Sequence, residues 1–138
     1  LDRVDTDWPF RIQLPVGTNV PFHSTASGKC FMASMPKGQR ASFVNGLKLE
    51  KLTENTHQTT QSLTDDLAHC AKRGYALDTE EFMMGMLAIA VPVTDPNGRF
   101  VAALAFHGPS QRLDLDILLE RLTYLQDGAR RLCEALFH

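Results

Sequence analysis

Cysteine is scarce in this 138-residue chain: Cys30, Cys70 and Cys133 are the only three. An odd number with long gaps and no Cys-x-x-Cys excludes a disulfide framework and a thiolate metal knuckle. Charge of one sign is not in excess either. Fourteen Lys and Arg stand against 16 Asp and Glu, for a formal net charge of -2. That removes the electrostatic basis for phosphate-backbone binding by this chain. No apolar run approaches the roughly 20 residues a membrane helix needs, and no charged-then-apolar leader is visible. A cytoplasmic location without membrane contact is therefore expected. Internal repeats and low-complexity tracts are missing. So are a Gly-x-Ser-x-Gly elbow and the His-x3-His or His-Glu-x2-His spacings of metal sites. What is present is an ordinary globular composition, 43% apolar, enough for one packed domain over residues 1–138. Because the chain opens at Leu1 without Met, it reads as a piece of a longer protein.

Periodicity supplies the elements. Phe10, Ile12 and Leu14 alternate with Arg11 and Gln13, the pattern of a half-buried strand, and a turn follows over 15–19. A helix is expected over Thr25 to Met35, capped by Ser24 or Thr25 and stopped by Pro36. The polar stretch 37–61 offers only short helical pieces near Gln39–Val44. Ser62 to Arg73 reads as a helix with Ser62 and Asp65 as a capping box and Gly74 just past its end. Tyr75 to Leu77 is a short extended piece, Leu87 to Thr94 a strand, and Phe100 to Phe106 a second strand reached through Asp95-Pro96-Asn97-Gly98. Pro92 marks an edge or a bulge. Leu115, Leu118, Leu122, Leu125, Ala129, Leu132 and Leu136 recur three and four apart as the apolar seam of a last helix. Such a seam serves a core contact first and a partner helix second.

Four constellations bear on chemistry. Ser27-Gly28-Lys29 has the look of a phosphate loop, but His23 and Cys30 replace its first Gly and final hydroxyl, so nucleotide binding is rejected. What remains is a helix start whose backbone at Ala26, Ser27 and Gly28 suits a carboxylate, or simply water and the Thr25 hydroxyl. Asp78, Glu80 and Glu81 form an acidic group with no second cluster beside it. Among the histidines, His23 suits a fixed turn, and His107 ends a buried strand beside alanines where its ring faces a cavity or a backbone carbonyl. Cys30 in the first turns of a helix is placed for a lowered thiol pKa. No nucleophile–base–orienter set assembles, so the chain is not read as an enzyme, and no metal or other cofactor is expected.

Three segments in order carry a family resemblance: Pro21-Phe22-His23-Ser24-Thr25-Ala26-Ser27-Gly28-Lys29, Lys72-Arg73-Gly74-Tyr75-Ala76-Leu77-Asp78-Thr79-Glu80-Glu81, and Asp95 through Ala105 to Gly108-Pro109. Together they resemble the effector-binding domain of the IclR family of bacterial transcription regulators. The resemblance implies an α+β fold of the GAF/profilin-like kind, an antiparallel sheet of five or six strands with flanking helices. It implies a small-molecule effector sensor that forms homodimers or tetramers. A winged helix-turn-helix and the first part of the domain would precede Leu1, and DNA would be bound through that segment alone.

Carried over by position, the resemblance implies an effector pocket between the sheet and the Thr25–Met35 helix. Ile12, Val20, Phe22 and Met86 would form its apolar wall, Ala26 and Ser27 would present backbone N–H groups to an acid, and Asp78 would border it. Ala88, Ala105 and His107 fall where members that bind very small oxoacids carry Ser or Cys. Loss of those donors argues against glyoxylate or pyruvate and favours a larger organic acid such as an aromatic carboxylate. Two rivals stand beside the sensor: a GAF-type thiol enzyme using Cys30 and Cys70, and an oligomerisation module built on the heptad seam.

Overall fold

The computed structural model describes residues 3–4, 10–13 and 21–137, with side chains over 21–137. Strands β1 (Arg3–Val4) and β2 (Phe10–Gln13) are followed by helices α1 (Ala26–Ala33), α2 (Lys37–Asn45) and α3 (Thr60–Arg73). Strands β3 (Ala76–Thr79), β4 (Met86–Thr94) and β5 (Phe100–Pro109) lead to helices α4 (Leu115–Glu120) and α5 (Leu122–Phe137). The strands form one sheet in the order β1-β2-β5-β4-β3, every neighbouring pair antiparallel. This is the expected α+β architecture. Of the expected first strand, Leu14 lies outside the described residues, as does the turn over 15–19.

The pleat sorts the sheet into two unlike faces, because side chains alternate along a strand. Leu87, Ile89, Val91 and Val93 of β4, with Ala102 and Phe106 of β5, pack against Leu118, Leu125 and Ala129. Each fully buried Leu or Ile contributes roughly 1.5–3 kcal/mol there. The opposite face is built of Ala76, Ala88, Ala90, Ala103 and Ala105, which meet Ala26 and Cys30 of α1 and Cys70 of α3. Small residues let α1 lie close. At Gly28, an added Cβ would come within 2.6 Å of the Phe22 Cα, so only glycine fits that approach. Met32, Val44, Leu63 and Leu67 fill the space among α1, α2 and α3.

Local chemistry explains most boundaries. Thr25 caps α1, its side chain accepting from the Gly28 N–H. The cap of α3 is Thr59, which accepts from the Ser62 N–H, so the helix starts at Thr60 and Ser62 is not the cap. Asp65 accepts instead from the Gln61 amide at 2.8 Å. At the β4–β5 hairpin, Asp95 Oδ1 accepts from the N–H groups of Asn97 and Arg99, both at 2.9 Å, and Gly98 takes a φ of 82° that favours glycine. Pro92 fits the edge reading, and the bulge lies beyond it. The β3 pairing ends at Ala90, and the β4–β5 register shifts between Val93 and Thr94. Strand β5 runs past Phe106 to Pro109 because Leu87 and Met86 still pair with Gly108 and Pro109.

The last seam is broken in two, with Arg121 closing α4 before α5 begins. Asp114 caps α4 by accepting from the Ile117 N–H. Leu118, Leu125 and Ala129 are buried, Leu122 and Leu132 pack partly against them, and Leu115 and Leu136 are exposed. The core role expected first of this seam therefore holds for its middle.

Candidate functional site

Strand register assembles the sequence-predicted residues. Partners in register on antiparallel strands share a face. Asp78 pairs with Ala88, and Ala88 pairs with His107. Three strands thus set Asp78, Ala88 and His107 in one row on the α1 face. The next row is Ala76, Ala90 and Ala105. Met86 lies two residues before Ala88 on the same face, half-buried. Ala26, at the start of α1, is buried against Ala88 and Ala105 in the same cluster, and Ser27 beside it is half-buried.

The helix start is partly committed. The Thr25 hydroxyl takes the Gly28 N–H at 3.0 Å, and the N–H groups of Ala26 and Ser27, at the positive end of the α1 dipole, have no partner among the described residues. Phe22 lies in a ring cluster, its centroid 5.4 Å from Phe31 and 5.3 Å from Phe43. Ile12 is opposite Leu104 in the β2–β5 register, and Leu104 packs with the Leu/Ile/Val cluster, so the register position of Ile12 falls on the face away from α1 and not on the expected wall. Val20 lies outside the described residues. His23, near the same turn, pins it by placing Nε2 2.8 Å from the Glu50 carbonyl.

Asp78 is the chemically distinctive member. It is buried, and Oδ1 accepts from the N–H groups of Glu81 at 2.8 Å and Phe82 at 3.4 Å. Burial pushes its pKa up to about 6; those N–H bonds pull the other way, and the nearby Glu81 charge adds to the rise. Near neutral pH the group therefore exchanges between a carboxylate and a carboxylic acid that can donate.

The cysteines behave otherwise than helix position alone predicts. Burial pushes the Cys30 thiol far up, and the neighbouring Cys70 adds to it. Cys70 is raised by burial to about 11. The dipole of an eight-residue helix does not offset that desolvation, so both sulfurs stay protonated and weakly nucleophilic at neutral pH.

A second constellation was not visible in the sequence. The Lys29 side chain is 1% exposed, and its Nζ lies 2.8 Å from Asp66 Oδ2 and 2.8 Å from Glu81 Oε1. His57 Nε2 is 2.8 Å from the same Asp66 oxygen. Burial alone would lower the Lys29 pKa, but the Glu81 and Asp66 carboxylates outweigh it and raise it. Burial would raise Asp66, yet His57 and Lys29 together hold it well below the usual carboxylate range. These groups line a cleft of roughly 240 Å³ together with Arg73 and Thr79. His57, Asp66 and Glu81 bring their ligand atoms within 4.8 Å of one another, a spacing a metal ion could use. The Lys29 ammonium already supplies the cation there. One signal did exist: Lys29 lies on the helical face of Ala26, Met32 and Ala33, an apolar stripe that a solvated lysine avoids.

Comparisons with known proteins give the family and the fold. Residues 1–134 match the family model described as bacterial transcriptional regulator IclR C-terminal. The "Probable transcriptional regulator SauR" of Cupriavidus necator is 39% identical over 119 residues, covering 86% of this chain and 47% of that protein. The solved C-terminal domain of the Escherichia coli regulator KdgR superposes with a TM-score of 0.82 at 27% identity, covering 99% of this chain and 87% of that one. The inducer-binding domain of a double mutant of PobR from Acinetobacter, solved with 3-hydroxybenzoic acid, gives a TM-score of 0.78 at 28% identity over 86% of this chain and 69% of that one. The chain spans about half the length of the curated relatives it matches, 47% and 44% for two of them. Among the described residues, no helix is long and apolar enough to cross a membrane. The chain belongs to the IclR family of bacterial transcriptional regulators, as its C-terminal effector-binding domain.

Proposed function

We propose that this domain senses a small organic acid at the row of Asp78, Ala88 and His107 beneath the start of α1. The observation that carries the reading is the register that sets those three residues side by side on the face α1 covers. The free N–H groups of Ala26 and Ser27 suit a carboxylate, and Asp78, titrating near pH 6, can donate to a ligand oxygen or accept from a ligand hydroxyl. Alanine at 88 and 105 supplies apolar surface rather than hydroxyl donors, which favours an aromatic acid over glyoxylate or pyruvate. The PobR domain solved with 3-hydroxybenzoic acid supports that ligand class. Val20, Phe22 and Met86 complete the proposed wall, while Ile12, in register with Leu104, is left out of it.

In the parent regulator, the effector acts by binding one arrangement of the domain more tightly than another, and so alters DNA contact by a winged helix-turn-helix outside this chain. A cytoplasmic homodimer or tetramer belongs to the same proposal; exposed Leu115, Leu119 and Leu136 support self-association. The domain is not an enzyme in this reading, and the buried, protonated state of Cys30 and Cys70 argues against the thiol-enzyme rival.

Calorimetry with benzoate, 3-hydroxybenzoate and pyruvate tests the proposal, alongside melting curves, since a ligand that binds only the folded state raises Tm. Saturable binding of the benzoates with pyruvate silent is expected. Tight pyruvate binding overturns the aromatic preference, and silence from every acid overturns the acid-sensing reading.

A further inference from the structure

Glu81 joins two regions that acid recognition would need held together. Both of its carboxylate oxygens accept from Lys29 Nζ, at 2.8 and 3.0 Å, and Lys29 lies one turn along α1 from Ala26 and Ser27. Its backbone N–H donates to Asp78 Oδ1 at 2.8 Å. Its carbonyl accepts from the Thr56 hydroxyl at 2.6 Å, while Oε2 also accepts from the Thr79 N–H at 3.1 Å. One residue of the β3–β4 loop thus grips α1 through its side chain and Asp78 through its main chain. The left-handed φ of 61° at Glu80 bends the chain so that both grips are made at once. Such a conformation persists only where the surroundings hold it.

We propose that Lys29 and Glu81 are positioning residues for the acid site: added to the small-residue packing of α1 on the sheet, their buried ion pair fixes the distance between the amide end of α1 and the Asp78 carboxyl, which belong to separate elements. This rests on reading the row at Asp78 as the site of an organic acid. Neither residue touches the acid. Lys29 points its ammonium at Glu81 and Asp66, and Glu81 reaches Asp78 through the main chain. Charge-assisted hydrogen bonds are the strong ones, and a site loosened by a fraction of an ångström loses affinity although every contacting residue is still present.

The test compares the wild-type 138-residue chain with Lys29→Met/Glu81→Leu, a double change that leaves neither Lys29 nor Glu81 buried alone and leaves Asp66 with His57 as its partner. Two quantities are read: the affinity for 3-hydroxybenzoate by calorimetry, and the titration of Asp78 by carboxyl-carbon NMR. The folded double variant is expected to bind about tenfold more weakly, as loss of a held geometry rather than of a contact implies. Loss of the Glu81 charge by itself lowers the Asp78 pKa, whereas loss of the Lys29 charge and of the two N–H groups of a loosened loop raises it, so a net rise is the expected outcome and the one that reports loosening. A folded double variant with wild-type affinity and an unmoved Asp78 titration overturns the proposal. Should the Met/Leu pair not fold, Lys29→Gln/Glu81→Gln, which keeps a neutral hydrogen bond across the gap, carries the same comparison. If the wild-type chain binds no acid, the sensor reading falls by itself, and the Asp78 titration alone decides whether the pair positions it.

Discussion

Asp66 approaches α1 from α3 and Asp78 approaches the same region from β3, yet their protons behave in opposite ways. Both lose water, and burial by itself raises both pKa values. At Asp66 the loss is answered by Lys29 and His57, which hold the group ionised. At Asp78 it is answered mainly by two main-chain N–H groups, which are dipoles rather than full charges, and the carboxyl rises to about 6. One acid is completed by the protein and the other is left short of a cation or proton. A ligand finds more to do at the incomplete one. The faces of the sheet repeat the lesson: Leu, Ile, Val and Phe fill one side, and alanines line the side where Asp78 stands.

The largest effect follows from breaking the complete side. Lys29→Met removes the cation from two carboxylates, one of them nearly fully buried. Stranding a buried charge in this way is expected to cost about 3–5 kcal/mol, a large share of the stability of a domain this size. Urea denaturation at pH 7 checks it. A loss under 1 kcal/mol would show that water reaches the cluster through the cleft and already solvates the acids.

The comparison sharpens when pH is varied. Asp66 has a folded pKa below its ordinary 3.8, so its contribution is present above pH 4 and is lost as pH falls further. Asp78 is raised from 3.8 to about 6. Its folded form binds the extra proton between those values, so stability falls as pH rises from 4 to 6 and stays lowered above. The full shift corresponds to at most about 3 kcal/mol. Asp78→Asn keeps an oxygen for the Glu81 and Phe82 N–H groups and is expected to stabilise the chain at pH 8 by part of that amount, with little change at pH 4. Asp66→Asn is expected to destabilise at pH 8 and to flatten the acid limb. Denaturation midpoints across pH 3–8 for the two variants should diverge; curves that move together would refute the assignment of opposite shifts.

Much of the fold was legible because its signals are local. The Asp95–Gly98 turn, the cap at Thr25, Gly74 after α3 and the apolar period of the last helices each depend on residues a few positions apart. The start of α3 was misplaced because Thr59 and Ser62 are both good caps, and only the backbone decides which one accepts. The row at Asp78 was reached through family resemblance rather than spacing, since strand register is invisible in a single sequence. The Lys29 cluster escaped because its partners lie 37 and 52 positions away. A charged residue on an apolar stripe announces that it must be paired, but not with what.

The smallest effect concerns an ion pair of the ordinary kind and calibrates the first. On α5, Asp127 contacts Arg130, and its Oδ2 lies 3.0 Å from Arg131 Nε. The two arginine side chains are 69% and 77% exposed. By distance alone this triad looks as strong as the group around Lys29. Water and salt screen it, and two long side chains lose rotamer freedom to form it, so exposed pairs of this type contribute about 0.2–1 kcal/mol. Asp127→Ala is expected to change stability by about 0.5 kcal/mol, and by less in 0.5 M salt, whereas the Lys29→Met loss should change little with salt because its charges are out of solvent. Denaturation of both variants at low and high salt separates the two cases. An equal salt dependence would mean that the Lys29 group is solvated after all, and that its close contacts are those of a surface cluster.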